Sequence, residues 1–408
     1  MRHFIRILLC ICLLVPVVAS CDTADDHAGK AVRTSGVSDD TIRLGSSLAL
    51  TGHAGYLGTQ TLRGAQAYLN NVNDSGGVHG RRIEVIAMDD SYDPPQCLVN
   101  TQNLIIDNDV FALFCYVGTP TTVKVLPLVD EAKIPLIGMF TGANRLREPF
   151  NRNVINIRAS YYQETASAVR HIVEDLKLSK IGVFYQYDAY GFDGLVGTEL
   201  ALKQFGMELV ARSSYIRGTL NVEDALDKIR KAGTEAVIMI GTYGACARFI
   251  NLALDQGYDP VFHNVSFVGA EELARRIGSR TPANVLMSQV VPPPTSSSDV
   301  KGAASEYVAL LKKYFPNDTP SFVGLEGFLN ARILVEGLQR AGRNLTREGL
   351  IQAIESIRNF EVGPGMIITY GPEDRQGLDA IYFTRLVDGR FVPFNDWFGL
   401  KTLLGNGQ

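Results

Sequence analysis

Several short stretches place hydroxyls, small residues and aromatics where an extended segment gives way to a helix. "YVGTPTT" sets Gly118 and Thr119 at one such point, and "FTGAN" sets Thr141, Gly142 and Ala143 at the next. "YDAYG" offers Tyr187 and Tyr190, "GTYGA" offers Tyr243, and "GAEE" offers Glu271. Hydroxyls and free backbone N–H groups at helix starts suit a carboxylate. A buried acid opposite them suits an ammonium, and tyrosines supply an apolar wall with a polar tip. Taken singly, each of these residues reads as a cap or a packed aromatic. Their recurrence at successive strand ends points to a binding cleft.

Other chemistry lacks its residues. The chain has no GxxxxGK[ST], no GxGxxG after a strand, no GxSxG and no HExxH. The histidines beyond the leader (His27, His53, His79, His171 and His263) stand one at a time, without metal-ligand spacing. Asp89, Asp90 and Asp93 form the one dense acidic cluster. They follow a strand and precede Pro94-Pro95, so turn and capping duty is expected of them. The reading is of a binding protein without a metal or cofactor, not an enzyme.

The elements that must hold these residues alternate. "TIRLGSSLAL", "IEVIAMDD", "VFALFCYVG" and "IPLIGMF" read as strands, with helical spacing between them, as in Leu62, Ala65, Leu69 and Val72. "VINIRASYYQETASAV" passes from strand into a helix whose stripe is Ala166, Val169, Val173 and Leu176. "KIGVFYQYD", "MELVARSSY", "AVIMIGTYG" and "VSFVGAE" follow as further strands. This rhythm predicts an α/β fold of two doubly wound parallel-sheet lobes joined by three crossovers. Lobe one is expected at 41–157 plus 291–362, and lobe two at 158–290 plus 363–408. "AIYFTRLVDGRFVPF" predicts a terminal hairpin turning at Asp388-Gly389. In open α/β sheets ligands sit beyond the carboxyl ends of the strands, where the hydroxyls and aromatics lie.

The ends bound the setting. Arg2 and Arg6 precede an uncharged apolar run from Ile7 to Val18, shorter than the roughly 20 residues that span a bilayer. Residues 1–20 therefore read as a signal peptide. Val18-Ala19-Ser20-Cys21 resembles a bacterial lipobox, with Cys21 as the lipidated first residue of the mature chain, and ordinary signal cleavage is the alternative. Asp22 resembles an inner-membrane retention signal of Gram-negative lipoproteins; in a Gram-positive source the same anchor would hold the protein at the cell surface. Residues 21–40 read as lipidated N-terminus and tether, reaching roughly 25 Å over about 19 residues. Removing 1–20 takes away Arg2 and Arg6 and no acid, moving the formal charge from −4 to −6. Such a mildly acidic, interspersed surface does not suit nucleic acid. With Cys21 acylated, Cys97, Cys115 and Cys246 remain. Cys97 and Cys115 fall on neighbouring elements of a βαβ unit and are the expected disulfide, with buried free thiols as the alternative.

"LALTGHAGYLGTQTLRGAQAYLNNVNDSGGVHGRRIEVIAMDDSYDP", "VLPLVDEAKIPLIG", "YQYDAYGFDG" and "VSFVGAEELA" together resemble the leucine/isoleucine/valine-binding family of solute-binding subunits of ABC importers. The resemblance covers nearly all of 41–400. It implies a carboxylate site at Thr119 and at the Phe140-Thr141-Gly142 loop, with Tyr190, Tyr243 and the ammonium-binding Glu271 on the second lobe. The first-loop aromatic of the family aligns with Leu57, with Tyr56 beside it. A small alanine of the family aligns with the far larger Phe140. These departures move the expected solute from leucine to an amino acid, amide or small organic acid of another shape. The resemblance further implies a monomer with an ABC permease as partner. A ligand-sensing receptor for amides or amino acids is the alternative role.

Overall fold

The computed structural model describes residues 34–280, 282–294, 302–363 and 365–405. The expected signal peptide and Cys21 lie outside the described residues. From Thr34 onward the chain forms one body.

The first sheet is built from β1 (Thr41–Leu48), β2 (Arg82–Asp89), β3 (Ala112–Phe114), β4 (Leu136–Ile137) and β5 (Val154–Ile155), with α1 (Gly55–Asp74), α2 (Pro94–Ile106) and α3 (Thr119–Ala132) between strands. Its order is β2-β1-β3-β4-β5, all parallel. The second unit runs α4 (Tyr161–Glu174), β6 (Ile181–Gln186), α5 (Ala189–Lys203), β7 (Ala211–Tyr215), α6 (Glu223–Lys231), β8 (Ala236–Ile240), α7 (Tyr243–Asp255), β9 (Val261–Asn264), α8 (Ala270–Ile277) and β10 (Val285–Gln289). The chain then gives α9 (Ala303–Tyr314), α10 (Phe322–Ala341) and α11 (Arg347–Glu355), the small hairpin β11 (Phe360–Gly363) and β12 (Met366–Ile368), the hairpin β13 (Tyr382–Val387) and β14 (Arg390–Pro393), and α12 (Trp397–Gly405). The second sheet has the order β14-β13-β10-β9-β8-β6-β7, with β6 to β10 parallel and the last hairpin antiparallel at one edge. The α/β class and parallel doubly wound sheets are as expected.

Burial explains the pattern. Every residue of β8, "AVIMI", is buried, as a parallel strand covered on both faces requires. α10 is buried along most of its length and packs on α1, α9 and α11. Where α10 crosses α1, a Cβ on Gly64 would overlap the backbone of Gly324, and one on Gly324 would overlap the Tyr307 hydroxyl. Asp388 and Gly389, at φ 46° and 73°, make the two-residue turn of the β13–β14 hairpin.

The structure departs from expectation in five places. "VSFVGAE" is not a strand: β9 lies earlier, at Val261–Asn264, and Ser266–Val268 forms a 3-10 turn. The ladder ends where Val265 N–H donates to Met239 O, and the alternation that mimicked a strand belongs to a turn packed inward. The buried stripe of α4 is Tyr161, Glu164, Thr165, Ala168, Val169 and Ile172, so it carries an acid that an apolar reading passes over. Residues 34–40 are not a free tether: Gly36 O accepts from Arg43 N–H at 2.8 Å, and Thr34 Oγ1 donates to Leu345 O at 2.9 Å. The expected lobe boundary at 362/363 falls inside the β11–β12 hairpin, whose two strands pair as one unit.

Cys97 and Cys115 do not form the expected disulfide; with Cys246 they are buried free thiols. Just past β3, Tyr116 takes the α2 side, where its hydroxyl meets that of Thr101, while Cys115, at φ 55°, turns to the α10 side and receives Asn330 Nδ2 at 3.6 Å. Cys97 sits on the α2 side near Asp90, out of reach of Cys115.

Candidate functional site

The loops at the carboxyl ends of the two sheets meet in a seam. From the first sheet, Gly118 holds φ at 96°, and a Cβ there would overlap the ring of Tyr92. This lets α3 begin at Thr119 directly beneath Tyr92. Thr119 Oγ1 and Thr141 Oγ1 share a hydrogen bond of 2.7 Å and are buried. Phe140 is fully buried beside them, and Gly142 O accepts from Tyr161 N–H at 2.8 Å. Asp93 caps α2 by accepting from Gln96 N–H at 3.1 Å, and Asp90 accepts from Ser47 and from Tyr92 N–H. The acidic cluster thus does turn and capping work. Burial lifts the Asp90 carboxyl to about 6.

From the second sheet, Asp188 caps α5 and sets Tyr190 on its first turn. The fully buried Tyr190 donates its hydroxyl to Gly241 O at 3.2 Å, and its ring lies 4.7 Å from Phe267 and 5.2 Å from Tyr161. Phe267, carried by the 266–268 turn, reaches across to Phe140 at 5.5 Å and Tyr92 at 5.9 Å. Tyr243, at the start of α7, meets Tyr56 edge-on at 6.2 Å, with the Arg276 guanidinium 4.9 Å above its ring. Glu271 accepts from Tyr56 O–H at 3.2 Å and from Phe322 N–H at 2.9 Å. Burial pushes its carboxyl above the usual range.

All eight ligand residues expected from the sequence reach this seam, in two groups. Phe140 and Tyr190 pack on Phe267, with Thr119, Thr141 and Gly142 on the loops beside Phe140, while Tyr56, Tyr243 and Glu271 meet one another at the starts of α1, α7 and α8. Tyr187 does not join them: it is 58% exposed and packs on Phe192. Two groups of equal weight are absent from the sequence reading. One is the aromatic pair Tyr92 and Phe267. The other is an ion cluster in which Arg158 meets Glu164 at 2.9 Å and Glu326 at 3.2 Å. "IRASYYQE" holds two of its members six residues apart, but nothing in that spacing tells a buried pair from a solvated one.

The arrangement can hold a small molecule among the loops of the two sheets. It holds no nucleophile paired with a base, and among the described residues no group of His, Cys, Asp and Glu is placed to hold a metal. A family model described as periplasmic binding protein matches residues 41–390. The chain belongs to the periplasmic binding protein family. A solved structure of a possible leucine/isoleucine/valine-binding protein from Rhodopirellula baltica SH 1 is 32% identical, with a TM-score of 0.83 over 91% of this chain and 99% of that one. An amino acid binding protein of Pseudomonas aeruginosa is 25% identical over 228 residues, 56% of this chain; the match spans 61% of that relative's length. A Leu/Ile/Val-binding protein homolog of Brucella abortus (strain 2308) is 22% identical over 337 residues, covering 79% and 82% of the two chains. These relatives are solute-binding proteins, not enzymes.

In this periplasmic binding protein the buried ions sit between elements of the two sheets. Arg158 and Glu164 belong to the chain entering α4, Glu326 to α10, which packs on α1, and Ser266 and Ser288 to the turn after β9 and to β10. Burial opposes the Arg158 charge, but Glu326 and Glu164 hold its pKa above the ordinary value. Burial raises Glu326 to about 7, against the pull of Arg158 and with the repulsion of Glu164. Among the described residues no helix is long and apolar enough to cross a membrane.

Proposed function

We propose that this periplasmic binding protein is the solute-binding subunit of an ABC importer, held at the periplasmic face of the inner membrane by a lipid on Cys21. Its solute is an amino acid or a related small amide or organic acid, taken up by closure of the two bodies on it. The observation that carries this reading is the seam itself. The bonded hydroxyls of Thr119 and Thr141 adjoin Phe140, whose ring meets Phe267 from the loops of the second sheet, and the Tyr56–Glu271 and Phe322–Glu271 bonds tie the two sides together. A hinged pair of bodies closes on ligand only through the ligand's greater affinity for the closed form. The amino-acid-binding relatives support the same solute class.

Isothermal titration against amino acids, amides and small organic acids tests the reading. Saturable binding by one class is expected, and failure of every member to bind refutes the solute class. Fractionation tests the anchor: the wild type should partition with membranes and the Cys21→Ser protein should not, with ligand affinity equal in both. A wild type found free of membranes would refute the lipid.

A further inference from the structure

The terminal hairpin and α4 enclose a groove away from the seam. Ser167, Arg170 and His171 stand on one face of α4, at three- and four-residue spacing. Opposite them lie Phe383 of β13 and the stretch from Phe394 to Trp397. The space between is about 450 Å³, within the range that holds small ligands. None of the eight seam residues lines it. α4 begins at the seam with Tyr161, and Arg170 comes roughly 13 Å further along the helix.

Aromatic packing sets the walls. The His171 ring lies flat on Trp397 at 4.3 Å, and Trp397 meets Phe383 edge-on at 5.0 Å and Phe394 at 4.9 Å. Trp397 is buried, so this wall stands before any ligand arrives.

The charges are one-sided. No carboxylate lines the groove, and Arg170 is its one guanidinium. Arg170 Nη2 meets His171 Nε2 at 3.0 Å, and Arg170 forms no ion pair among the described residues. The acids nearby are engaged elsewhere or turned to water. Asp175 holds His171 Nδ1, Asp379 accepts from Gln163 at 2.8 Å, and Asp396 accepts from Gly399 N–H at 2.8 Å. Glu174, one turn beyond Arg170, is exposed and outside the lining. A second guanidinium, that of Arg385, lies 5.8 Å from the Phe394 ring, and its Nε–H is buried without an acceptor. Ser167 and Asn395 add neutral donors to the lining. Aromatic walls beside an unpaired guanidinium complement an apolar body that carries a carboxylate.

We propose that this groove is a second binding site, for a small aromatic monocarboxylate. The carboxylate accepts from the Arg170 guanidinium and the Ser167 hydroxyl, and the ring lies against Phe383, Phe394 and Trp397. The site is separate from the seam, so its failure would leave the solute-binding reading standing, and the reverse holds too.

Trp397 is the only tryptophan of the chain, so its emission reports on this groove. The test is titration of the purified protein with phenylacetate and with phenethylamine, which share a ring and differ in charge. Phenylacetate should give a saturable change in emission with a Kd of about 1 mM or tighter, and phenethylamine should bind at least about tenfold more weakly. Arg170→Gln should weaken phenylacetate by about tenfold and leave Tm unchanged, since Arg170 is exposed and forms no ion pair among the described residues. Emission unmoved by phenylacetate up to about 10 mM overturns the site. An equal response to the amine overturns the carboxylate assignment. Phenylacetate affinity unchanged in Arg170→Gln also overturns it, because the emission would then be following binding elsewhere, the seam included. Should the Arg170→Gln protein fail to fold, the acid-to-amine ratio of the wild type decides alone.

Discussion

Glu326→Gln should flatten the dependence of stability on pH. In the folded chain burial raises the Glu326 carboxyl from 4.5 to about 7, although Arg158 opposes the rise. Between those values the folded state holds a proton that the unfolded chain releases. Stability from this group is therefore present at low pH and lost as pH rises toward 7. The full shift corresponds to about 3 kcal/mol, most of which falls between pH 5 and pH 8. Other buried groups titrate in the same window. Asp90 and Asp193, both raised to about 6 by burial, act in the same direction, while His263, driven down to about 3 by burial, acts in the opposite one. All three are common to both proteins, so the difference between wild type and variant isolates Glu326. The assay is urea denaturation of both at pH 5 and pH 8 at fixed ionic strength. The stability difference should change by roughly 2–3 kcal/mol between the two, with wild type gaining relative to the variant at pH 5. A difference that stays constant would refute the claim that Glu326 is buried with too few partners.

Further outcomes follow from the same seam and core. Gly118→Ala should destabilise the fold by roughly 2–4 kcal/mol in urea denaturation, because the new Cβ meets Tyr92 at a left-handed φ; a neutral result would mean that the loop is free to move. Glu271→Ala removes the acceptor of two bonds, from Tyr56 and Phe322, and should favour the open form by roughly 1–3 kcal/mol, read as a larger radius of gyration in solution scattering of the unliganded protein. Alkylation in denaturant without reductant should label Cys97, Cys115 and Cys246 alike; protection of the first two would restore the disulfide.

The fold was legible because strand and helix periods differ and because Gly, Pro and Asp punctuate them. "VDGRF" announced its hairpin through Asp-Gly, a pair that readily adopts two positive φ angles. Thr119, Thr141 and Tyr190 were legible for a related reason: a helix start after a strand fixes where a side chain must lie in a parallel sheet. Phe267 was not legible, since a turn packed inward carries the same apolar alternation as a strand. Arg158, Glu164 and Glu326 were invisible for a different reason. A charged residue in a helix ordinarily faces water, and only the tertiary pairing of residues 158, 164 and 326 makes burial affordable. The Cys97–Cys115 bridge failed on side-chain direction, which adjacency in the chain cannot supply.

The crossing of α1 and α10 has a consequence for how the chain is made. α1 ends at Asp74 and α10 begins at Phe322, yet the space at Gly64 is filled by the backbone of Gly324. A chain emerging from its N-terminus exposes β1 to β5 and the inner face of α1 while the whole second body is still unmade. The first sheet can collapse early, but its core stays unsealed until the last quarter of the sequence arrives. The two ends of that contact lie far apart in the sequence, so the helix that closes the first core is among the last parts of the chain to be made.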